Sequence, residues 1–329
     1  MRNLIHSVVI ISAILATTIA PIAHAEEINF SDVPVGHANY IPIQYLAEEG
    51  IVGGNLDGNF EPDKEVNRVE ALKMILEALT DFDNDTAQAP DENPFDDTDL
   101  EHWYIKYLKE AQSRGMADGY GDGRFGPNDP VKLAESLKFT AKSLENYLSF
   151  TPTESPFADV EVGKWYAEYI YWAKNREMLW IDANNNVNPE ESITKGYFAS
   201  ILYKLLKYSK GYRFGKATYY GETFHGRTTA SGSPFDMFAF TAAHKELTFG
   251  TIVEVMNLAN GETIRVEITD RGPYGHGRVL DLSAAAFEDV ASLGAGIINA
   301  QYKIVTDDDD EETDDETTPD PYTEPLTQE

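Results

Sequence analysis

Apolar positions follow two different rhythms along this chain. Up to about residue 208 they recur at helical spacing. Leu72, Ile75, Leu76 and Leu79 form one face of a predicted helix, and Trp103, Tyr107, Leu108 and Ala111 form another. From Tyr212 the period drops to two. Lys216-Ala-Thr218-Tyr-Tyr220 reads as a strand, and residues 251–258 and 264–268 alternate apolar and polar. These last two flank Asn260-Gly261, a pair that favours the positive-φ turn of a tight hairpin. Residues 282–290 read as a short helix capped by Ser283, and 297–305 as a final strand. An all-α region is therefore expected to precede a small all-β barrel.

The helical region repeats itself. Phe30-Ser-Asp32-Val, Phe95-Asp-Asp97-Thr and Phe157-Ala-Asp159-Val lie 65 and 62 residues apart, and the turn prolines Pro62, Pro127 and Pro189 keep that spacing. Trp103-Tyr104 and Trp165-Tyr166 mark the second and third copies, and a basic residue follows each proline: Arg68, Lys132 and Lys195. Each copy reads as helix, loop, helix. One helix pair cannot bury its own apolar face, whereas three around a pseudo-threefold axis can.

These motifs resemble the S-layer homology (SLH) family over roughly residues 28–208, with copies expected at 28–90, 93–152 and 155–211. The resemblance implies a three-pronged helical bundle that attaches proteins non-covalently to secondary cell-wall polymers, often pyruvylated ones. The family's Thr-Arg-Ala-Glu motif carries the arginine that pairs with the polymer. It stands here as Asn67-Arg68-Val69-Glu70, Lys132-Leu133-Ala134-Glu135 and Thr194-Lys195-Gly196-Tyr197. Arg68, Lys132 and Lys195 are thus the expected polymer contacts, although lysine lacks the bidentate fork of arginine. The alternative is a scaffold in which these cations cap helices or pair with Glu70 and Glu135. The alternating Asp81, Asp83 and Asp85 lack the glycine and distal glutamate of a calcium loop and read as a solvated linker.

Residues 212–306 carry a second dense set of motifs. They include Ala217-Thr-Tyr-Tyr220-Gly221, Phe224-His225-Gly226-Arg227, Thr241-Ala-Ala-His244, Asn257-Leu-Ala-Asn-Gly261, Asp270-Arg-Gly-Pro273 and Asp281-Leu-Ser283. In this order they resemble the rare lipoprotein A (RlpA) family. That implies a six-stranded double-psi β barrel and endolytic lytic transglycosylase activity. Such enzymes cut the MurNAc–GlcNAc link of peptidoglycan and leave a 1,6-anhydro end. His244 and Asp270 fall on the two positions that the family needs, and Asp281 on the aspartate of related expansin-type barrels. Tyr220, Thr241, Arg271, Arg227 and Tyr274 are the expected substrate contacts.

The chemistry asked of these residues is narrow. Cleaving a glycosidic bond needs a proton on the departing oxygen, and a charge-crowded carboxylic acid can hold one. Because the sugar's own 6-hydroxyl attacks, one acid that then turns base suffices. Asp270 and Asp281 as neighbours would set one carboxyl apart as the acid, with His244 orienting it or binding sugar. Read without the resemblance, Asp270 is a turn aspartate, Asp281 a helix cap and His244 a structural histidine. Two non-enzymatic readings also stand: an expansin-like polysaccharide-binding and wall-loosening module, and a structural S-layer-type envelope protein. No metal-ligand spacing and no cofactor motif is present.

Composition adds location and excludes some partners. Arg2, the apolar run 4–20 and Ala23-His24-Ala25 read as a secretory signal peptide cut after Ala25, which predicts an exported, envelope-associated protein without a transmembrane span. There is no cysteine, so neither disulfides nor a lipid-modified cysteine can contribute. The net charge is −30, and residues 307–329 carry 12 acidic and no basic residues, which predicts disorder there. A chain this acidic is not expected to bind nucleic acid. Residues 212–305, with 8 basic and 10 acidic residues, are the segment a neutral or anionic glycan approaches most easily.

Overall fold

The computed structural model describes residues 28–144, 147–275 and 277–306. The expected signal peptide and the expected disordered tail both lie outside the described residues. Six helices come first: α1 (Tyr40–Glu48), α2 (Arg68–Leu79), α3 (Ile105–Ser113), α4 (Leu133–Ser143), α5 (Ala167–Lys174) and α6 (Lys195–Tyr208). They fall two to each sequence copy, giving pairs one to three along the chain, while their packing joins neighbouring copies: α1 with α6, α2 with α3 and α4 with α5. None of the helices among the described residues is long and apolar enough to cross a membrane.

The second helix of the first and third pairs begins where the sequence supplies a side-chain cap. Before α2, the Asn67 side chain accepts the Glu70 N–H while the Glu70 carboxylate accepts the Asn67 N–H. Before α6, Thr194 Oγ1 accepts the Tyr197 N–H. These starts dock in a cycle. Arg68 N–H bonds to the Asp129 carbonyl, Leu133 N–H to Glu191 and Lys195 N–H to Lys64, at 3.0, 3.0 and 2.8 Å. Pair one thus rests on the turn of pair two, two on three, and three on one.

The repeated aspartates hold those turns. Asp32 accepts the N–H groups of Phe60 and Glu61, Asp97 those of Phe125 and Gly126, and Asp159 those of Val187 and Asn188. Each carboxylate satisfies two amides that a tight turn would leave unpaired.

Two expectations change here. Trp103 precedes α3 and is 52% exposed, so the buried face of that helix is Ile105, Tyr107, Leu108 and Ala111 without it. Arg68 is only 3% exposed and faces inward. Its Nη1 meets Glu135 at 2.7 Å, its Nε donates to the Phe125 carbonyl at 2.9 Å, and its guanidinium lies over the Tyr120 and Phe125 rings. Lys195 likewise donates to the Phe60 carbonyl at 3.0 Å, with its ammonium 4.3 Å from the Phe60 ring centre. The turn of the neighbouring pair wraps both cations; the Arg68 pair with Glu135 is one the scaffold alternative names, and the Lys195 contact with Phe60 is not. Lys132 stays half exposed, 4.0 Å from Glu190. In the acidic stretch, Asp81 pairs with Arg114 and Asp83 accepts the Asp85 N–H.

The C-terminal strands are β1 (Arg213–Tyr219), β2 (Thr241–Ala243), β3 (Ile252–Asn257), β4 (Thr263–Asp270), β5 (Arg278–Leu282) and β6 (Ile297–Ile304), with α7 (Ala284–Val290) after β5. They close into a six-stranded barrel in the order β1-β5-β2-β4-β3-β6, where β1/β5 and β2/β4 are parallel. Inward positions alternate as the sequence predicts: Val253 and Val255 on β3, Ile264, Val266 and Ile268 on β4, sealed by Phe287 from α7. Ser283 caps α7, its Oγ accepting the Ala286 N–H at 3.2 Å.

The β3–β4 connection runs over residues 258–262 rather than a two-residue turn. Gly261 takes φ 79° as expected of its position, but Leu258 turns away from the hairpin. It is buried against Tyr203 and Phe214, where the barrel meets the helices. That contact is fixed by Tyr203 Oη, which donates to Gln301 at 2.6 Å, and by the Phe214 N–H, which donates to Glu177 at 2.6 Å.

Candidate active site

The topology brings two carboxylates together around one small residue. Ala243 on β2 pairs with Asp270 on its β4 side and with Asp281 on its β5 side. Both aspartates line a groove of about 390 Å³, together with Tyr220, Phe224, Arg227, Arg271 and Tyr274. Gly272 sits between them with φ 135°; a Cβ there would stand 3.9 Å from Asp281 Oδ2 and 3.9 Å from Tyr220 Oη. A Cβ would fit there in ordinary contact, so it is the positive φ that favours glycine.

Asp270 is held by three donors. Its Oδ1 accepts the N–H groups of Ala230 and Arg271, each at 2.8 Å, and its Oδ2 accepts the Tyr220 hydroxyl at 3.2 Å. Burial, followed by the charges of Asp270 and Asp281, holds the Tyr220 phenol well above its ordinary pKa, so it remains a donor at neutral pH. Asp281 is neutralised from the other side: Arg278 and the Thr218 hydroxyl both bond its Oδ1. Asp281 thus has a cationic partner, whereas the donors on Asp270 are all neutral.

Of the expected substrate contacts, Tyr220, Arg227, Arg271 and Tyr274 are in the groove wall and Thr241 is not. Thr241 opens β2, where its carbonyl accepts the Ser283 N–H at 2.8 Å. Tyr274 stands at the lip, 86% exposed. The Arg271 guanidinium lies 3.7 Å from the Phe249 ring centre, and that of Arg227 5.2 Å from Phe224.

His244 follows Ala243 directly, and its ring is not part of the groove wall. Nδ1 accepts the N–H groups of Glu246 and Leu247 at 3.1 and 2.9 Å, which leaves the proton on Nε2 to donate to Tyr302 Oη at 2.9 Å. The imidazole is nearly buried, and burial lowers its pKa. Its main chain, however, holds the end of β4: the His244 N–H bonds the Asp270 carbonyl at 3.2 Å, and its own carbonyl takes Arg271 Nη1 at 3.4 Å. Of the two expected places for His244, beside the acid or against a sugar, its main chain takes the first and its ring lies outside the groove wall.

Two measurements follow from these bonds. Tyr220→Phe removes the donor to Asp270 Oδ2 without touching the two backbone bonds on Oδ1, so the melting temperature should barely move, by a few degrees at most in a thermal melt. The His244 ring protons, followed by NMR, should titrate below the usual value of 6.5. The sign for stability follows: below about 6.5 the unfolded chain takes up a proton that the folded ring resists, so this residue costs stability as pH falls.

Arg278, Thr218 and the Ala230 amide escape sequence reasoning. Arg278 and Asp281 stand three apart on a strand, a spacing that normally points side chains to opposite faces. A register shift between Lys216 and Ala217 where β1 meets β5 accompanies their meeting. Thr218 does lie inside the quoted Ala-Thr-Tyr-Tyr motif and is in register with Asp281.

Fold and groove together define a small β barrel with a paired-carboxylate cleft. Residues 213–302 match the family model described as lytic transglycolase, and residues 29–72 and 94–135 match the S-layer homology domain model. The endolytic peptidoglycan transglycosylase RlpA of Vibrio cholerae is 41% identical over 107 residues, which is 32% of this chain and 41% of that protein. The probable endolytic peptidoglycan transglycosylase RlpA of Treponema pallidum is 54% identical over 83 residues, 25% of this chain and 26% of that protein. A solved expansin of Clavibacter michiganensis is 28% identical with a TM-score of 0.25, over 29% of this chain and 51% of its own. The chain spans less than half the length of the two curated relatives.

Proposed function

We propose that this chain is an exported lytic transglycosylase of peptidoglycan, held at the cell envelope by its helical region. The observation that carries the reading is the pair Asp270 and Asp281, set on either side of Ala243 under an open groove. Its support is the lytic transglycolase match over the same residues. The barrel is read as a double-psi barrel, and residues 155–211 as a third SLH unit, because Asp159 repeats the bonds of Asp32 and Asp97 in the two matched segments and Lys195 repeats the Arg68 bond to a turn carbonyl.

In the proposed reaction Asp270 carries a proton on Oδ2, with the Tyr220 hydroxyl then accepting instead of donating. Asp270 gives that proton to the glycosidic oxygen as the bond to C1 of MurNAc breaks. The resulting carboxylate takes the proton of the MurNAc 6-hydroxyl as that oxygen bonds to C1, which regenerates the acid and closes the 1,6-anhydro ring. Asp281, paired with Arg278, faces the positive charge that develops on the ring. Arg227 and Tyr274 hold the strand, and His244 and Arg271 fix the end of β4. Lys132 is the remaining exposed motif cation for a secondary wall polymer.

The test is incubation of the purified protein with sacculi stripped of stem peptides, where soluble glycan should appear. A second reading, an expansin-like module that binds glycan without cutting it, draws on the same contacts, because every oxygen of Asp270 is already engaged by a donor. Glycan that is bound and never released would favour it.

A further inference from the structure

A second, larger cavity lies where the helical region meets the barrel. Its volume is about 590 Å³, within the range of small-molecule sites. Leu179, Trp180 and Tyr197 wall it on the helical side, and Lys216 and Asn299 on the barrel side. It shares no wall residue with the groove that holds Asp270 and Asp281, and none of the motif cations Arg68, Lys132 and Lys195 lines it, although Leu133 and Thr194 beside two of them do.

Lys204 on α6 lines this cavity and is only 7% exposed. A buried ammonium normally has a carboxylate or carbonyls to receive its protons. None of the described residues gives Lys204 a hydrogen bond or an ion pair within 4.0 Å; Glu177 acts on it only at longer range, and the Phe214 ring centre is 5.9 Å away. Its three donors are thus free toward the cavity. Lys216, across on β1, adds a second cation. The acids in the wall are Asp182, whose carboxylate is taken up by the amides of Asn184 and Asn186, and Glu191.

The remaining walls suit a sugar. Trp180 stacks on Tyr197 with ring centres 4.7 Å apart and is still 39% exposed, which leaves indole surface for the apolar face of a pyranose. Asn188 and Asn299 offer side-chain amides to hydroxyls. We propose that this interdomain cavity binds a carboxylate-bearing sugar, with its carboxylate on Lys204 and its ring against Trp180. Since both regions contribute walls, an occupied site would fix the barrel relative to the helices.

The experiment is calorimetry on the full chain with N-acetylmuramic acid, glucuronic acid and, as neutral control, N-acetylglucosamine. The two acids represent the two sources of this chemistry at a cell wall, peptidoglycan and an acidic wall polymer, and the tighter binder identifies the source. Lys204→Met should weaken the acid roughly tenfold to a hundredfold. Burial pushes the Lys204 ammonium down to about 8, so acid binding should also weaken as pH rises through that value. The charges facing it, Glu177, Lys216, Asp182 and Glu191, are all present in the full chain. Trp180→Ala tests the site should Lys204→Met fail to fold, because the Trp180 backbone N–H keeps its bond to Tyr197 Oη. Equal binding of the neutral sugar overturns the proposal, as does unchanged acid affinity in a folded Lys204→Met or Trp180→Ala protein, or no binding of either acid.

Discussion

Asp270→Asn is expected to abolish glycan cleavage, with a fall of roughly 10²–10⁴-fold in the rate of product release and little change in melting temperature. Asparagine keeps an Oδ1 to accept the Ala230 and Arg271 N–H groups, so the turn over the groove stays docked. It also keeps a group beside the Tyr220 hydroxyl. What it loses is the capacity to give up a proton and take one back, which the proposed reaction requires at a single position. Asp281→Asn is a different experiment, since it leaves the Arg278 charge beside the groove without its partner. Muropeptide release measured beside a thermal melt separates the two cases.

Arg68→Ala should destabilise the helical region by about 3–5 kcal/mol, the usual cost of removing one partner from a buried charge pair. Glu135 would be left largely buried without its cation, and the Phe125 carbonyl without its donor. Arg68→Lys should lose less, because Lys195 already fills the matching place beside Phe60 in the third pair. Urea unfolding followed by tryptophan fluorescence reads the difference. A fully stable Arg68→Ala protein that no longer bound the wall would return this residue to polymer contact.

The repeat was legible because its signal is spacing: Phe, Asp, Pro and a cation return at 65 and 62 residues. The work of Asp32, Asp97 and Asp159 was not legible, since each bonds amides 28 or 29 residues further along, and no local pattern links them. Arg68 was misplaced for a related reason: a motif shows that a cation is present, but not that a neighbouring turn closes over it. In the barrel, alternation located β3 and β4, the cap located α7, and the motif series located Asp270 and Asp281. Their meeting depends on β2 lying between β4 and β5 in a partly parallel order, which periodicity does not encode. His244 fell outside the groove because the strand ends at Ala243 and the next side chain turns into the loop at Glu246 and Leu247. The hairpin lengthened because Leu258 is drawn to Tyr203, a contact between regions that no single strand pattern contains.

The central claim is that the groove beneath Tyr220 and Tyr274 breaks a glycan strand by closing the sugar on itself. Mass spectrometry of the ends released from peptide-free sacculi tests this most directly. The account predicts 1,6-anhydro-MurNAc termini, absent with Asp270→Asn; reducing termini formed by addition of water, or no released termini at all, would contradict it.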